Sequence, residues 1–180
     1  MSAPSRVSLK NIKWSSWASH ETHCVDATVC IDGKRVCKYE NDGRGGSNTY
    51  YPYSGQSEES FRQMLSDLRQ VSADDIKEND PKCYVQLSKY DNGKSDMLID
   101  IVVTDALNRH LMIKEMKASM KRKIHLLKVS TNEIYEIKQK PTDETIAYVK
   151  DQNAPDYLVL NDLPEDVQFN HWIRVTDQWK

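Results

Sequence analysis

Apolar and polar residues alternate from the start of the chain. Val7, Leu9, Ile12 and Trp14 are the apolar set of residues 7–14, with a change of phase between Leu9 and Ile12. This predicts a strand with a β-bulge. Val25, Ala27, Val29 and Ile31 share one face of a second strand over 24–31. Asp32-Gly33 then predicts a two-residue hairpin turn, and 34–40 the return strand. The pattern changes period after residue 57. Phe61, Met64, Leu65, Leu68 and Val71 lie on one helical face, and Ser57 followed by Glu58 and Glu59 is a helix start, which predicts a helix over 57–71.

Residues 72–81 read as a polar turn, and 83–87 as a short strand or a loop. Asp91-Asn92-Gly93 reads as a turn. From about 95 to 120, Leu98, Ile101, Val102, Leu107, Leu111, Met112, Met116 and Met120 recur with helical periodicity. The β-branched run Val102-Val103-Thr104 lowers helix propensity and marks a position for a break. Residues 123–129 and 133–139 predict a second hairpin through Ser130-Thr131-Asn132. A short helix follows at about 142–151, with Ile146, Ala147 and Val149 inward. Residues 157–160 are short and apolar, and the tail from Phe169 ends in polar residues.

These elements define an α+β fold. It has an N-terminal antiparallel β-meander, two main amphipathic helices (about 57–71 and 95–120), a second β-hairpin (about 123–139) and a short helix. The length of 180 residues fits a single domain over 1–180, with a β-rich block at 7–53 packed on a helical and hairpin part at 57–175. No internal repeat or low-complexity linker interrupts it.

Hydrophobic residues make up 38% and charged residues 29%, which is globular rather than disordered. The net charge of −2 gives no bulk attraction to nucleic acid or to an anionic membrane. No apolar run reaches the roughly 20 residues of a membrane span, and Met1–Arg6 has no hydrophobic segment of the signal-peptide kind. The expected location is the cytoplasm. Cys24, Cys30, Cys37 and Cys83 form no CxxC pair and are expected as free thiols, buried where they fall on strands.

The sharpest local signal is the loop Asn41, Asp42, Gly43, Arg44, Gly45, Gly46. Its glycines permit positive φ and can expose successive N–H groups as an anion nest, with Arg44 adding charge. That chemistry suits a phosphorylated small molecule. The loop is neither a Walker A sequence nor GxGxxG, and no helix begins directly after it, so a structural loop closing a hairpin is the alternative. Tyr50, Tyr51 and Tyr53 follow, and with Trp14 and Trp17 they can stack on a flat ligand or form a protein interface. The non-basic surroundings favour the interface.

His20, Glu21, His23 and the cysteines include zinc-ligand types, but their spacing matches no standard zinc module. The basic run Lys117, Lys121, Arg122, Lys123 complements a helix C-terminus, with nucleic-acid contact as the alternative. Neither GxSxG nor HExxH occurs, and adjacent positions 20–24 on an extended strand would point to opposite faces. No enzymatic activity and no cofactor are implied.

Three segments together resemble a family of small uncharacterised proteins of bacteriophages, prophages and other mobile elements. They are Ala18-Ser19-His20-Glu21-Thr22-His23-Cys24, the Asp32-Gly33-Lys34 hairpin, and Glu40-Asn41-Asp42-Gly43-Arg44-Gly45-Gly46. The family pattern has a Ser-Glu-Glu-Thr-like turn, an Asp-Gly-Lys hairpin and an Asn-Asp-Gly-x-Gly-Gly loop. Here His20 stands where the pattern often has Glu. The similarity is strongest over residues 7–48 and continues through the long helix ending in Lys and Arg. It implies a mobile-element origin and supplies no mechanism. The resulting expectation is a non-enzymatic binding protein that inhibits or modulates a bacterial host system, of the anti-defence or anti-CRISPR kind. Its partner would be a host protein or protein complex, met in the host cytoplasm. The alternatives are sequestration of a phosphorylated nucleotide-type ligand, nucleic-acid binding through the 114–123 region, and a homodimer.

Overall fold

A computed structural model describes residues 5–88 and 96–176. The turn expected at 91–93 lies outside the described residues. The fold is α+β, with a four-stranded antiparallel sheet, a three-stranded sheet and five α-helices among the described residues. The chain divides into two compact units, Met1–Asn108 and Arg109–Lys180.

In the first unit, β1 (Val7–Ser15), β2 (Cys24–Ile31), β3 (Lys34–Asp42) and β4 (Thr49–Tyr51) pair in sequence order. The expected bulge is present: the β1–β2 register shifts between Lys10 and Lys13, and Asn11 sits at φ 53°. Asparagine is among the few residues that tolerate that region. Asp32 and Gly33 have φ of 48° and 78°, the two positive values of a type I′ hairpin. One sheet face is set by register. Val25, Ala27 and Val29 lie opposite Asn41, Tyr39 and Cys37, and all six are buried.

Helix α1 (Glu58–Asn79) packs on β1 and β3 through this unit's core, burying Leu68, Val71 and Ile76. It runs eight residues past the expected end at 71. The polar stretch that reads as a turn is helical because Ile76 extends the buried stripe. The buried Asp75 carboxylate also accepts from the Ser5 hydroxyl and the Arg6 N–H. Helix α2 (Pro81–Ser88) replaces the strand or loop expected at 83–87. Pro81 occupies the first helical position, where its missing N–H costs nothing, and Asp80 Oδ1 accepts from the Cys83 N–H at 3.0 Å.

Helix α3 (Met97–Met120) runs unbroken through 102–104. Val102 and Val103 are both buried, which outweighs a β-branched penalty of a few tenths of a kcal/mol per residue. Its residues up to Asn108 belong to the first unit and the rest to the second.

The second unit holds β5 (Ile124–Lys128), β6 (Glu133–Ile137) and β7 (Tyr157–Val159), ordered β6-β5-β7. Helix α4 (Asp143–Asn153) covers one sheet face, joining Val149 to Ile124, Leu126 and Val159. The other face joins Leu127 and Leu160 to Met116 and Met120 of α3 and Phe169 of α5 (Glu165–Thr176). The sequence tail that carried no expected element is thus a helix. Among the described residues, no helix is long and apolar enough to cross a membrane.

Candidate functional site

The Gly-rich loop is a latch. Gly43 C=O accepts from the N–H groups of His20 (2.9 Å), Glu21 (3.0 Å) and Thr22 (3.4 Å). Three successive N–H groups converging on one oxygen form an anion nest, and here the loop's own carbonyl fills it. The loop's N–H groups are committed in turn. Gly43 N–H donates to Asn41 Oδ1 at 2.9 Å, Arg44 N–H to Asp42 Oδ1 at 3.0 Å and Gly45 N–H to Thr22 Oγ1 at 3.3 Å.

Asn41 is the hub of this arrangement. Its Oδ1 also accepts from Thr22 Oγ1 at 2.7 Å, and its Nδ2 donates to Gly46 C=O at 3.1 Å and Asn48 Oδ1 at 2.9 Å. Both hydrogens and both lone pairs of the buried amide are therefore used. Gly43, at φ 82°, has no room for a side chain, since a Cβ would strike the Ala18 carbonyl and come within 2.9 Å of Cys24 Cβ.

The tyrosines divide. Tyr50 is half-buried, stacks on Tyr39 with centroids 5.7 Å apart, and donates to Asp100 Oδ1 at 2.7 Å. Burial first, then the hydrogen bond and charge of Asp100, push the Tyr50 phenol strongly up. Burial, with Asp100 second, pushes Tyr39 up to about 12. Both rings therefore stay protonated at neutral pH. Tyr53 donates to Cys37 C=O at 3.1 Å, with the Arg35 guanidinium over its ring. Tyr51 remains exposed. Asp42 and Arg44 are exposed too, and Arg44 has no ion pair among the described residues.

Beside the latch lies a cleft of about 630 Å³ within the first unit. The turn after β1 supplies His20, Glu21, Thr22 and His23, and the end of β1 supplies Trp14. Strand β3 and the loop after it supply Tyr39, Asn41, Gly46, Ser47 and Asn48, and α3 supplies Asp100, Thr104, Leu107 and Asn108. His23 Nε2 lies 3.0 Å from Asn108 Oδ1, and its ring meets Trp14 edge-on. Lining residue Ser16 opens and Ser19 follows a 3-10 turn, Ser16–Ala18, that presents Trp17 with 85% of its surface exposed.

Of the loop and tyrosine residues singled out by sequence, Asn41 and Gly46 line this cleft. Asp42, Gly43, Arg44, Gly45, Tyr50, Tyr51 and Tyr53 do not. Asp100 and Asn108 were not singled out. The available signal was Asp100 itself, a carboxylate within the apolar run Leu98-Ile99-Asp100-Ile101-Val102.

Among the described residues, no three His, Cys, Asp or Glu side chains converge as a metal site. Cys30 and Cys37 are buried and Cys24 and Cys83 half-buried, all as free thiols. In the second unit Ser119 Oγ lies 3.1 Å and Glu136 Oε1 3.4 Å from His125 Nε2. Both meet the same nitrogen, whereas a catalytic triad needs the acid on the opposite one. In the basic run, Lys117 pairs with Glu165 and Lys123 with Glu136. The chain matches no family model, no curated protein and no solved structure.

Proposed function

We propose that the chain is a non-enzymatic binding protein of phage or mobile-element origin that inhibits or modulates a bacterial host system, in the anti-defence or anti-CRISPR manner. It acts in the host cytoplasm by protein–protein contact. The observation that carries this reading is Trp17, an indole with 85% of its surface in solvent, held on a short turn between the cleft-lining residues Ser16 and Ser19. Exposed aromatics of this size dominate the energy of protein interfaces once a partner covers them. The resemblance to mobile-element proteins, strongest over residues 7–48, supports the same reading.

A phosphorylated ligand at the loop is less well supported. The N–H groups of Gly43, Arg44 and Gly45 have acceptors already, and the adjoining cleft is lined by Glu21 and Asp100 with no Lys or Arg. Nucleic-acid contact through 114–123 is weakened by the ion pairs of Lys117 and Lys123.

The test is affinity capture from host lysate with the wild-type chain and with Trp17→Ala. The expected result is a stoichiometric host protein retained by the wild type and lost from the variant. No stoichiometric protein, or one held equally by both, would overturn the reading.

A further inference from the structure

We propose that the solvent face of the first sheet binds single-stranded nucleic acid, with Lys10, Arg35 and Lys38 on the phosphates and Tyr51 under a base. None of these four residues lines the cleft, so this surface adds to the function proposed above and does not depend on it.

Strand register assembles the surface. Directly opposed residues of an antiparallel sheet point to the same side. Lys10 lies opposite Thr28, Thr28 opposite Lys38, and Lys38 opposite Tyr51, so one row crosses all four strands. In the next row Ser8 lies opposite Cys30, and Cys30 opposite Arg35. Ala27, Val29, Cys37 and Tyr39 take the other side of the sheet and are buried in the core, whereas Lys10, Arg35, Lys38 and Tyr51 are exposed. The bases are far apart in the chain, so no basic run in the sequence announces them.

These two rows hold three bases and no acid. The acids Asp26 and Glu40 stand in the row beyond, where Lys13 pairs with Asp26 at 3.6 Å, and Asp32 at the hairpin is held by Arg6 at 2.7 Å. Lys10 and Lys38 flank Thr28 about 10 Å apart at the usual strand spacing. Thr28 and Cys30 are buried although they point to this outer side, covered by the stems of the longer side chains around them. Burial raises the Cys30 thiol, and the charges of Lys10 and Arg35 both pull against it, which places the two bases over one floor. The overall charge of −2 conceals this face, because α1 on the other side of the sheet carries six acids against three bases.

A single strand suits the face better than a duplex or an acidic peptide. Cations spaced along an open surface match a chain of phosphates, and an exposed aromatic in the same row stacks on an unpaired base. Tyr51 is that aromatic, at the end of the lysine row. Arg35 is held beside it by the Tyr53 ring, 5.6 Å from guanidinium carbon to centroid. A duplex keeps its bases stacked inside, and an acidic peptide brings charge without a flat partner for Tyr51.

The test is fluorescence anisotropy of a labelled oligothymidylate, about 12 nucleotides long, titrated with the full chain over a salt series. The expected result is saturable binding whose log K falls against log salt with a slope of about −2, from three cations at about 0.7 each on a single strand. Lys38→Ala should make the slope shallower by about 0.7, and Lys38→Arg should restore it. Tyr51→Ala should weaken binding about fivefold or more at unchanged slope, and Tyr51→Phe should retain it. Unchanged urea midpoints confirm that each variant keeps the fold.

No saturable binding at low salt, or binding unchanged in Lys38→Ala and Tyr51→Ala, would sink the assignment. Equal affinity for a duplex of the same length, or equal competition by polyglutamate, would remove single-stranded nucleic acid as the occupant. Trp17→Ala should leave oligonucleotide binding unchanged, and a loss there would put the strand on another surface and overturn the sheet face. A Trp17-dependent host partner without oligonucleotide binding would leave the function proposed above standing and overturn this one.

Discussion

At the scale of single residues, the latch makes sharply different demands on neighbouring glycines. Gly43 has φ 82° and a backbone carbonyl where a Cβ would go, so neither strain nor collision is relieved by a side-chain movement. Gly46 has no positive φ, and its nearest neighbour would sit at 3.7 Å, an ordinary contact. Gly43→Ala should therefore cost at least about 1–3 kcal/mol from the backbone conformation alone, whereas Gly46→Ala should leave the urea midpoint nearly unchanged. Equal midpoints for the two variants would contradict the latch. The sequence made this loop conspicuous but not its purpose, because a nest of N–H groups looks the same whether an external anion or an internal carbonyl fills it. Deciding that required knowing that residues 20–22 meet Gly43 across about 20 positions of chain, a tertiary fact.

A second single-residue consequence concerns pH. The buried ring of His125 lies edge-on to Trp172, and burial lowers its pKa below the ordinary 6.5, against the opposing pull of Glu136. The folded protein thus refuses a proton that the unfolded chain accepts. Stability should fall as pH drops from about 7 through 6.5 and level off once the folded-state value is passed. Glu136 is lowered by its hydrogen bond to Lys123 and acts near and below its ordinary 4.5, so the two effects occupy separate windows. Urea midpoints measured between pH 7.5 and 5.5 should decline in the wild type and decline less in His125→Leu. An equal decline would assign the effect elsewhere.

At the scale of elements, what the sequence revealed follows from the range of the forces involved. The meander, its bulge and the type I′ turn are written in alternation and in Asp32-Gly33, all within a few residues. The missed elements depended on distant partners or on short cues. The end of α1 looks polar because Asp74, Lys77 and Glu78 surround Ile76, and its helical state is secured by Asp75 reaching Ser5 and Arg6. Helix α2 was signalled by Asp80-Pro81, a cap and first-turn pair obscured by the strand-like Tyr84-Val85. Strand β4 is three residues long, too short for alternation to be read, and forms because β3 offers an edge.

The start of α1 was legible and gives a direct measurement. Ser57 accepts from the Ser60 N–H, and Glu58 and Glu59 sit in the first turn. Ser57→Ala should destabilise by about 1 kcal/mol, shifting the denaturation midpoint at constant slope. Ser57→Asp should restore it, since aspartate caps as well as serine and adds charge that the helix N-terminus favours.

At the scale of the whole molecule, the two compact units call for probes that report on each separately, and the cysteines supply one for the first. All four belong to residues 1–108. Cys30 and Cys37 are fully buried, and burial pushes the Cys37 thiol up to about 12, with the Cys30 thiol raised for the same reason. Since the thiolate is the reactive form, both are protected twice over, by access and by protonation. Cys24 and Cys83 are half-buried, so a reagent has access to them that it lacks to the other two. Brief alkylation at pH 8 should therefore modify Cys83 and Cys24 in the native protein and leave Cys30 and Cys37 intact. Repeated across a urea series, labelling of Cys30 and Cys37 should rise together, because they share the interior of adjacent strands β2 and β3, and its midpoint is the unfolding of the first sheet. His125 belongs to the other sheet, so acidification from pH 7.5 to 5.5 should move the midpoint of amide exchange at Leu126 and Leu127 more than it moves thiol labelling. Identical shifts of the two midpoints would mean that the chain unfolds as one cooperative body, and unequal shifts that each unit carries its own stability.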